Sequence, residues 1–279
     1  MAIPKRAPAS PDIAPLGPGS LPEPTYPKAS RPTVTSNGAV RFIRAVPSTN
    51  RRMIVSACGE EKSGKNYFSF TFPEPIYVHS FDEGLEGTIE QFIDKKEIHV
   101  AKYDLEVQPG KASPQEVAES ADKLWNEFVV NYKYSLAAAG DGTVVIDTDT
   151  ELYELLRLAR FGKLTQVMPH HYGPVNAEFR DIVRGAYDVR CNLFLIGRLG
   201  DEWMNDAAGK GNKTGARIRK GFGDLPYLTQ INALCERVDR VGGGSDFQVQ
   251  IESCRQNPEC NGTTVANDYE MLRLSVFGG

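Results

Sequence analysis

The chain has 279 residues, 41% of them hydrophobic, which supplies a sizeable core and excludes a wholly disordered polymer. Its 36 acidic and 32 basic residues leave a net charge of −4, so coating nucleic acid by bulk charge is excluded. Any such contact must come from a local patch. No long unbroken apolar run occurs, and Lys5 and Arg6 are not followed by one, so neither a membrane span nor a secretory signal is expected.

Residues 1–37 hold nine prolines among Ala, Ser and Gly, with few large apolar groups to bury. That composition predicts a disordered, partly polyproline-II tail, either a plain leader or a dock for a partner protein. From Gly38 to residue 279 the pattern is that of one globular domain. Arg52–Ala57, Pro75–Ser80 and Ile98–Tyr103 read as strands. Ser113, Pro114 and Glu116 form a capping box. Val117, Ala121, Leu124, Trp125, Phe128 and Tyr132 then recur at helical spacing, and that helix runs out by Gly140. Thr143–Asp147 is apolar up to its last residue and reads as a central parallel strand. Glu151–Phe161, with Asp149 expected as its N-cap, and Asn176–Tyr187 read as helices; Cys191–Ile196 reads as a fifth strand. The last sixty or so residues look β-rich, with Leu228–Val238 and Phe247–Glu252 as strands. The alternation predicts a doubly wound α/β fold with a mostly parallel sheet flanked by helices.

The strongest chemical signal is Gly59-Glu60-Glu61-Lys62-Ser63-Gly64-Lys65-Asn66, with Tyr67 next. It follows an apolar strand and matches GxxxxGK[ST] at every fixed position but the last. In such a loop the glycines let main-chain N–H groups curl around phosphate oxygens, the next helix offers its N-terminus, and Lys65 reaches the β- and γ-phosphates. A Gly/Lys-rich surface turn is the plain alternative. Asn66 stands where a Ser or Thr hydroxyl usually binds Mg²⁺, and an amide oxygen is a poorer ligand. Asp147, at the end of a buried strand, fits the carboxylate that holds the Mg²⁺ shell. Of the pair Asp82-Glu83, Glu83 is chosen as the group that orients or deprotonates the attacking water, against the reading of an exposed acidic turn.

These residues resemble a family. ACGEEKSGKN, FPEPIYVHSFDEGLEG, TVVIDTDTELYELL, HHYGPVNAEF and CNLFLIGRLGDEW follow the order seen in phage-encoded RecA-like, AAA-type P-loop ATPases associated with single-strand annealing and recombination. The resemblance spans about residues 50–255. It implies a RecA-like P-loop core that binds ATP and Mg²⁺, with Lys65 on phosphate, Asp147 as the Walker B acid and Glu83 as the catalytic glutamate. The chain departs from the family at Asn66, and at Gly197, where a polar sensor residue is usual.

Lys210, Lys213, Arg217, Arg219 and Lys220 fall within the glycine-rich stretch 209–223, which reads as a mobile basic segment. It suits single-stranded DNA or a neighbouring subunit's nucleotide; a solvated loop is the alternative. Arg160 and Arg198 are further candidates for an arginine that completes a neighbour's site. His170-His171 and Cys254/Cys260 lack the ligand sets of a metal site. Cys58, Cys191, Cys235, Cys254 and Cys260 form no CxxC pair and read as reduced thiols.

The whole reads as a cytoplasmic, oligomeric, ATP-binding and ATP-hydrolysing protein of phage DNA recombination, annealing or replication. Two alternatives remain. One is a degenerate nucleotide-binding scaffold that recruits a partner through the proline-rich tail. The other is a nucleotide or small-molecule kinase whose lid is the 209–220 stretch.

Overall fold

The computed structural model describes residues 51–165, 167–205 and 211–278. The tail expected over 1–37, the start of the domain at Gly38, and Lys210 lie outside them. In chain order the elements are β1 (Ile54–Gly59), α1 (Lys65–Thr71), β2 (Ile76–Ser80), β3 (Ile98–Lys102), α2 (Pro114–Ala138), β4 (Thr143–Asp147) and α3 (Asp149–Phe161). Then follow α4 (Tyr172–Gly185), β5 (Asn192–Ile196), β6 (Leu199–Asn205), β7 (Gly211–Arg219), α5 (Leu225–Leu228), β8 (Ile231–Asp239), β9 (Ser245–Cys254), β10 (Thr264–Ala266) and α6 (Tyr269–Phe277).

Eight strands form one sheet in the order β10-β9-β8-β1-β5-β4-β2-β3. From β8 to β3 every pairing is parallel, while β8–β9 and β9–β10 are antiparallel. β1, β4 and β5 are buried along their whole length, as expected for strands with helices on both faces. Alternation then divides the core. Ile54, Val144, Ile146, Leu193 and Leu195 pack beneath α2, α3 and α4. Met53, Val55, Ala57, Val145 and Phe194 pack against α1 and α6 on the other face.

Local chemistry sets the element ends. Ser113 caps α2, and the reciprocal bond from Glu116 completes the capping box. α1 stops after seven residues because Phe72 precedes Pro73 and takes an extended conformation (ψ 163°). The Lys96 ammonium donates to the carbonyls of Thr71 (2.9 Å) and Phe72 (2.5 Å), meeting two acceptors that the helix end leaves open.

The structure corrects several sequence expectations. Thr148, not Asp149, is the N-cap of α3; its hydroxyl accepts from the Glu151 N–H, while Asp149 turns inward and is 1% exposed. α4 begins at Tyr172, four residues before the expected start. The C-terminal part is β-rich but ends in a helix, α6. The stretch expected as a mobile loop is strand β7, which pairs antiparallel with β6 to form a separate hairpin. Among the described residues no helix is long and apolar enough to cross a membrane.

Candidate functional site

The parallel register brings four strand ends together: Ser80 pairs with Asp147, Asp147 with Ile196, and Ile196 with Ala57, two residues before Gly59. In open α/β sheets the crest at the carboxyl ends of the strands is where ligands bind. Here it is polar and enclosed. Ser63, Ser80, Asp147, Thr148, Asp149 and Thr150 are each at most 3% exposed.

The loop from Gly59 to Asn66 links β1 to α1, and both motif glycines are sterically required. A Cβ on Gly59 would lie 2.4 Å from the Cys235 carbonyl oxygen and 2.5 Å from Ser63 Oγ. Gly64 has φ +84°, and a Cβ there would lie 2.7 Å from Asn267 Nδ2 and 3.0 Å from the Phe247 ring. Lys62 also takes a left-handed conformation, at φ 57°. The Lys65 ammonium folds into the loop's concavity. It donates to the carbonyls of Gly59 (3.0 Å) and Glu60 (2.7 Å), with Ser63 Oγ 3.4 Å away. Burial lowers its pKa, which the charge of Asp147, among others, opposes. α1 is short, so the loop's curl and this ammonium, rather than a long helix dipole, define the hollow. Glu60, Glu61 and Lys62 face solvent, and Tyr67 is half-exposed with its ring edge-on to Phe92 at 5.0 Å.

Asn66 points across the crest. Its amide nitrogen donates to Asp147 Oδ2 (2.9 Å) and to the Gly84 carbonyl (2.8 Å). Both partners are acceptors, which fixes the amide with its oxygen turned away from them. The Asp147 carboxyl is pushed up to about 7, by burial first and by the charge of Asp82 second; Asn66, Lys65 and Arg198 pull the other way without prevailing. Mg²⁺ favours one or two carboxylates together with phosphate oxygens. The two carboxylates that repel each other, Asp147 and Asp82, suit that chemistry, while Asn66 turns its nitrogen and not its oxygen toward them.

Glu83, chosen from the sequence as the water-orienting group, turns its side chain to solvent at the β3 end of this crest. It is 80% exposed and pairs with Lys102 of the edge strand β3 at 3.3 Å. Asp82 is the inward member of the pair. It accepts from the Gly84 N–H (2.8 Å) and from Arg198 (2.9 Å), and its charge raises the Asp147 carboxyl. The turn after β2 decides between the two, because the Asp82 side chain closes its own two-residue bond.

The arginines are also settled by their partners. Arg198 bridges Asp82 and Glu151 at the crest of its own chain. Arg160 lies elsewhere, joining α2 to α4 through Asp122 and Glu178. Arg217 makes a two-pronged pair with Glu60 (2.7 and 2.9 Å) and a third bond to Asp201, which ties the hairpin to the loop. Arg219 pairs with the buried Asp149. Lys213 pairs with Asp201 at 2.5 Å and lies over the Trp203 ring, 5.4 Å from its centroid. The stem of Lys220 lies across Gly200. A basic segment with free charges is therefore replaced by a hairpin whose arginines are largely matched by carboxylates. Phe247, Asn267 and Trp203 were not singled out from the sequence as site residues, and Asp149 only as a helix cap. Trp203 alone carried a signal, as one of two tryptophans, standing close to the basic residues.

All five cysteines are buried thiols. His170 and His171 sit on an exposed single turn, and no cluster of three His, Cys, Asp or Glu residues that could hold a metal occurs among the described residues.

No protein-family model and no curated protein matches the chain. Among solved structures it is similar to a prototypical ATPase from the type III secretion system of pathogenic bacteria, at 10% identity and a TM-score of 0.36. That likeness covers 65% of this chain and 50% of the other, so the chain spans about half the length of the protein it is compared with. A superposition this loose leaves the reading of the site to the chain's own residues.

Proposed function

We propose that the chain binds ATP with Mg²⁺ at the Gly59–Asn66 loop and hydrolyses it as a RecA-like P-loop ATPase. One observation carries the reading: the Lys65 ammonium lies inside a loop closed by two sterically obligatory glycines, and the Asn66 side chain next to it reaches Asp147. The sheet order supports it, since β5 separates the loop-bearing β1 from β4, as in the RecA-like class of P-loop folds. On this reading Lys65 exchanges two carbonyl partners for phosphate oxygens, and Asp147 would hold Mg²⁺, joined by Asn66 once its amide turns over to present its oxygen. When bound, that ion would neutralise charge on the β- and γ-phosphates. Asp82, rather than Glu83, is the carboxylate placed to orient water near the terminal phosphate, and Arg198 holds it in position.

The wider role is proposed with it. An oligomer acts on single-stranded DNA in phage recombination, annealing or replication in the host cytoplasm, and the N-terminal tail meets a partner. The exposed Trp203 with Lys213 over its ring supports a DNA contact.

A second reading has its own support. Asn66 ties up one Asp147 oxygen with an amide N–H and turns its own oxygen away, so it presents no ligand where a Ser or Thr hydroxyl usually meets Mg²⁺, which favours a scaffold that binds nucleotide without turnover. Two experiments test the readings, the first on the loop they share and the second on what separates them. Calorimetry with Lys65→Ala is expected to show no ATP binding; unchanged binding would falsify the loop assignment. Single-turnover hydrolysis by wild type and Asn66→Thr then decides activity, and a silent wild type beside an active variant establishes the scaffold.

A further inference from the structure

The loop that holds Lys65 has a direction. Its acidic flank faces β4 and β2, where Asp147 and Asp82 stand. A triphosphate whose terminal groups meet those acids must lead its sugar and base out on the opposite flank, toward β8 and β9. That flank carries an aromatic ring. Phe247 lies on β9, 42% exposed, with its Cδ1 3.0 Å from the point where a side chain on Gly64 would begin. It shares a face of β9 with Val249 and Ile251, both fully buried in the core beneath α1 and α6. The apolar face of the strand thus runs past its cover and ends in an uncovered ring beside the loop.

A second side chain ties the neighbouring turn to the same glycine. Asn267, from the turn between β10 and α6, is 6% exposed and donates through Nδ2 to the Gly64 carbonyl at 3.0 Å. Its Oδ1 is buried without a hydrogen-bond partner, a cost the fold tolerates while this side chain ties the turn to the loop. Exposed phenyl rings at a ligand mouth are suited to stacking, and a stacked base is recognised by its π-face whatever its edge.

We propose that Phe247 is the platform on which the nucleobase stacks, and that the preferred ligand is a purine nucleoside triphosphate. This rests on the nucleotide reading of the loop. A two-ring base covers more of a phenyl face than a one-ring base, so ATP and GTP bind more tightly than CTP. Asn267, bonded to the Gly64 carbonyl, holds the turn before α6 against the same glycine.

The test is calorimetry on the full chain with Mg²⁺ and four probes: ATP, GTP, CTP and inorganic tripolyphosphate. Phe247→Ala is expected to weaken ATP by roughly tenfold or more, the range that loss of one base stack gives, with tripolyphosphate binding unchanged. Phe247→Trp is expected to keep ATP affinity. Tripolyphosphate binding by the alanine variant also shows that it is folded. ATP affinity unaltered in Phe247→Ala while tripolyphosphate still binds overturns the platform, and so does CTP binding as tightly as ATP to the wild type. A wild type that binds neither ATP nor tripolyphosphate removes the loop reading, and the platform with it.

Discussion

Gly197 departs from the resembling family's pattern, and the structure gives a steric reason. A Cβ at this position would lie 2.5 Å from the Arg219 guanidinium. The space that a sensor side chain would fill therefore belongs to Arg219, which reaches back from the hairpin to Asp149. Asp149 is 1% exposed and its arginine 14%, so the pair is largely cut off from water. Burial pushes the Asp149 carboxyl up while the guanidinium pulls it back. Removing one partner of such a pair leaves an uncompensated buried charge. Arg219→Met is accordingly expected to destabilise the fold by about 3 kcal/mol or more, read as a shift of the urea midpoint. Asp149→Leu combined with Arg219→Met should recover most of that loss, because no orphaned charge remains. A single variant as stable as wild type would show that Asp149 is already protonated and that the pair contributes nothing.

The elements divide sharply in how far the sequence announced them. α2, β4 and β5 were legible because each leaves a local imprint: a capping box with a 3.6-residue stripe, or an unbroken apolar run. The Gly59–Asn66 loop was legible because its two steric demands admit only glycine. β7 left no imprint. All but one of its nine residues are exposed, so pairing with β6 buries no alternate face and writes no period-two pattern. The choice between Asp82 and Glu83 was only half hidden: the local bond from the Gly84 N–H to Asp82 could be anticipated, whereas the second partner, Arg198, lies far along the chain. α6 did carry a signal: Asp268 accepts from the N–H groups of Glu270 and Met271 and caps it. The hairpin also changes what the proposed DNA contact should look like. Lys213 and Arg217 are matched by Asp201 and Glu60, so few cations are left to displace counterions from a phosphate backbone. Trp203 is 59% exposed and offers a stacking face instead. Trp203→Ala should weaken binding of a fluorescent single strand about tenfold, and the wild type should show a shallow salt dependence. A steep salt slope with no effect of the Trp203 substitution would mean that charge, not stacking, makes the contact.

At the scale of the whole molecule, the half of the core beneath α2, α3 and α4 holds an ionisable group that the site does not use, and it shapes stability against acid. His79 on β2 is 2% exposed. Its Nδ1 lies 2.9 Å from the Tyr103 hydroxyl and its Nε2 2.9 Å from Ser135 Oγ on α2, while Phe128 and Tyr132 present their rings around it. No carboxylate is among these contacts. Burial alone pushes the imidazole down to about 4. The sign follows from proton counting. Above the ordinary histidine pKa of about 6.5, neither state binds the proton and the group is silent. As the pH falls from there toward 4, the unfolded chain gains a proton that the native state refuses, so stability falls throughout that window. From pH 7.5 to 4.5 the loss attributable to His79 is roughly 2–3 kcal/mol. Other groups titrate in the same range, Asp147 among them with the opposite sign, since its raised pKa makes the native state the better proton acceptor. The measurement is therefore a difference. Urea unfolding of the wild type and of His79→Gln, which keeps a polar group without the titration, is compared at both pH values. The wild type should lose about 2–3 kcal/mol more than the variant on acidification. Equal losses would mean that the imidazole accepts its proton in the folded state, and that the Tyr103 and Ser135 hydroxyls reorient to accept from a charged ring.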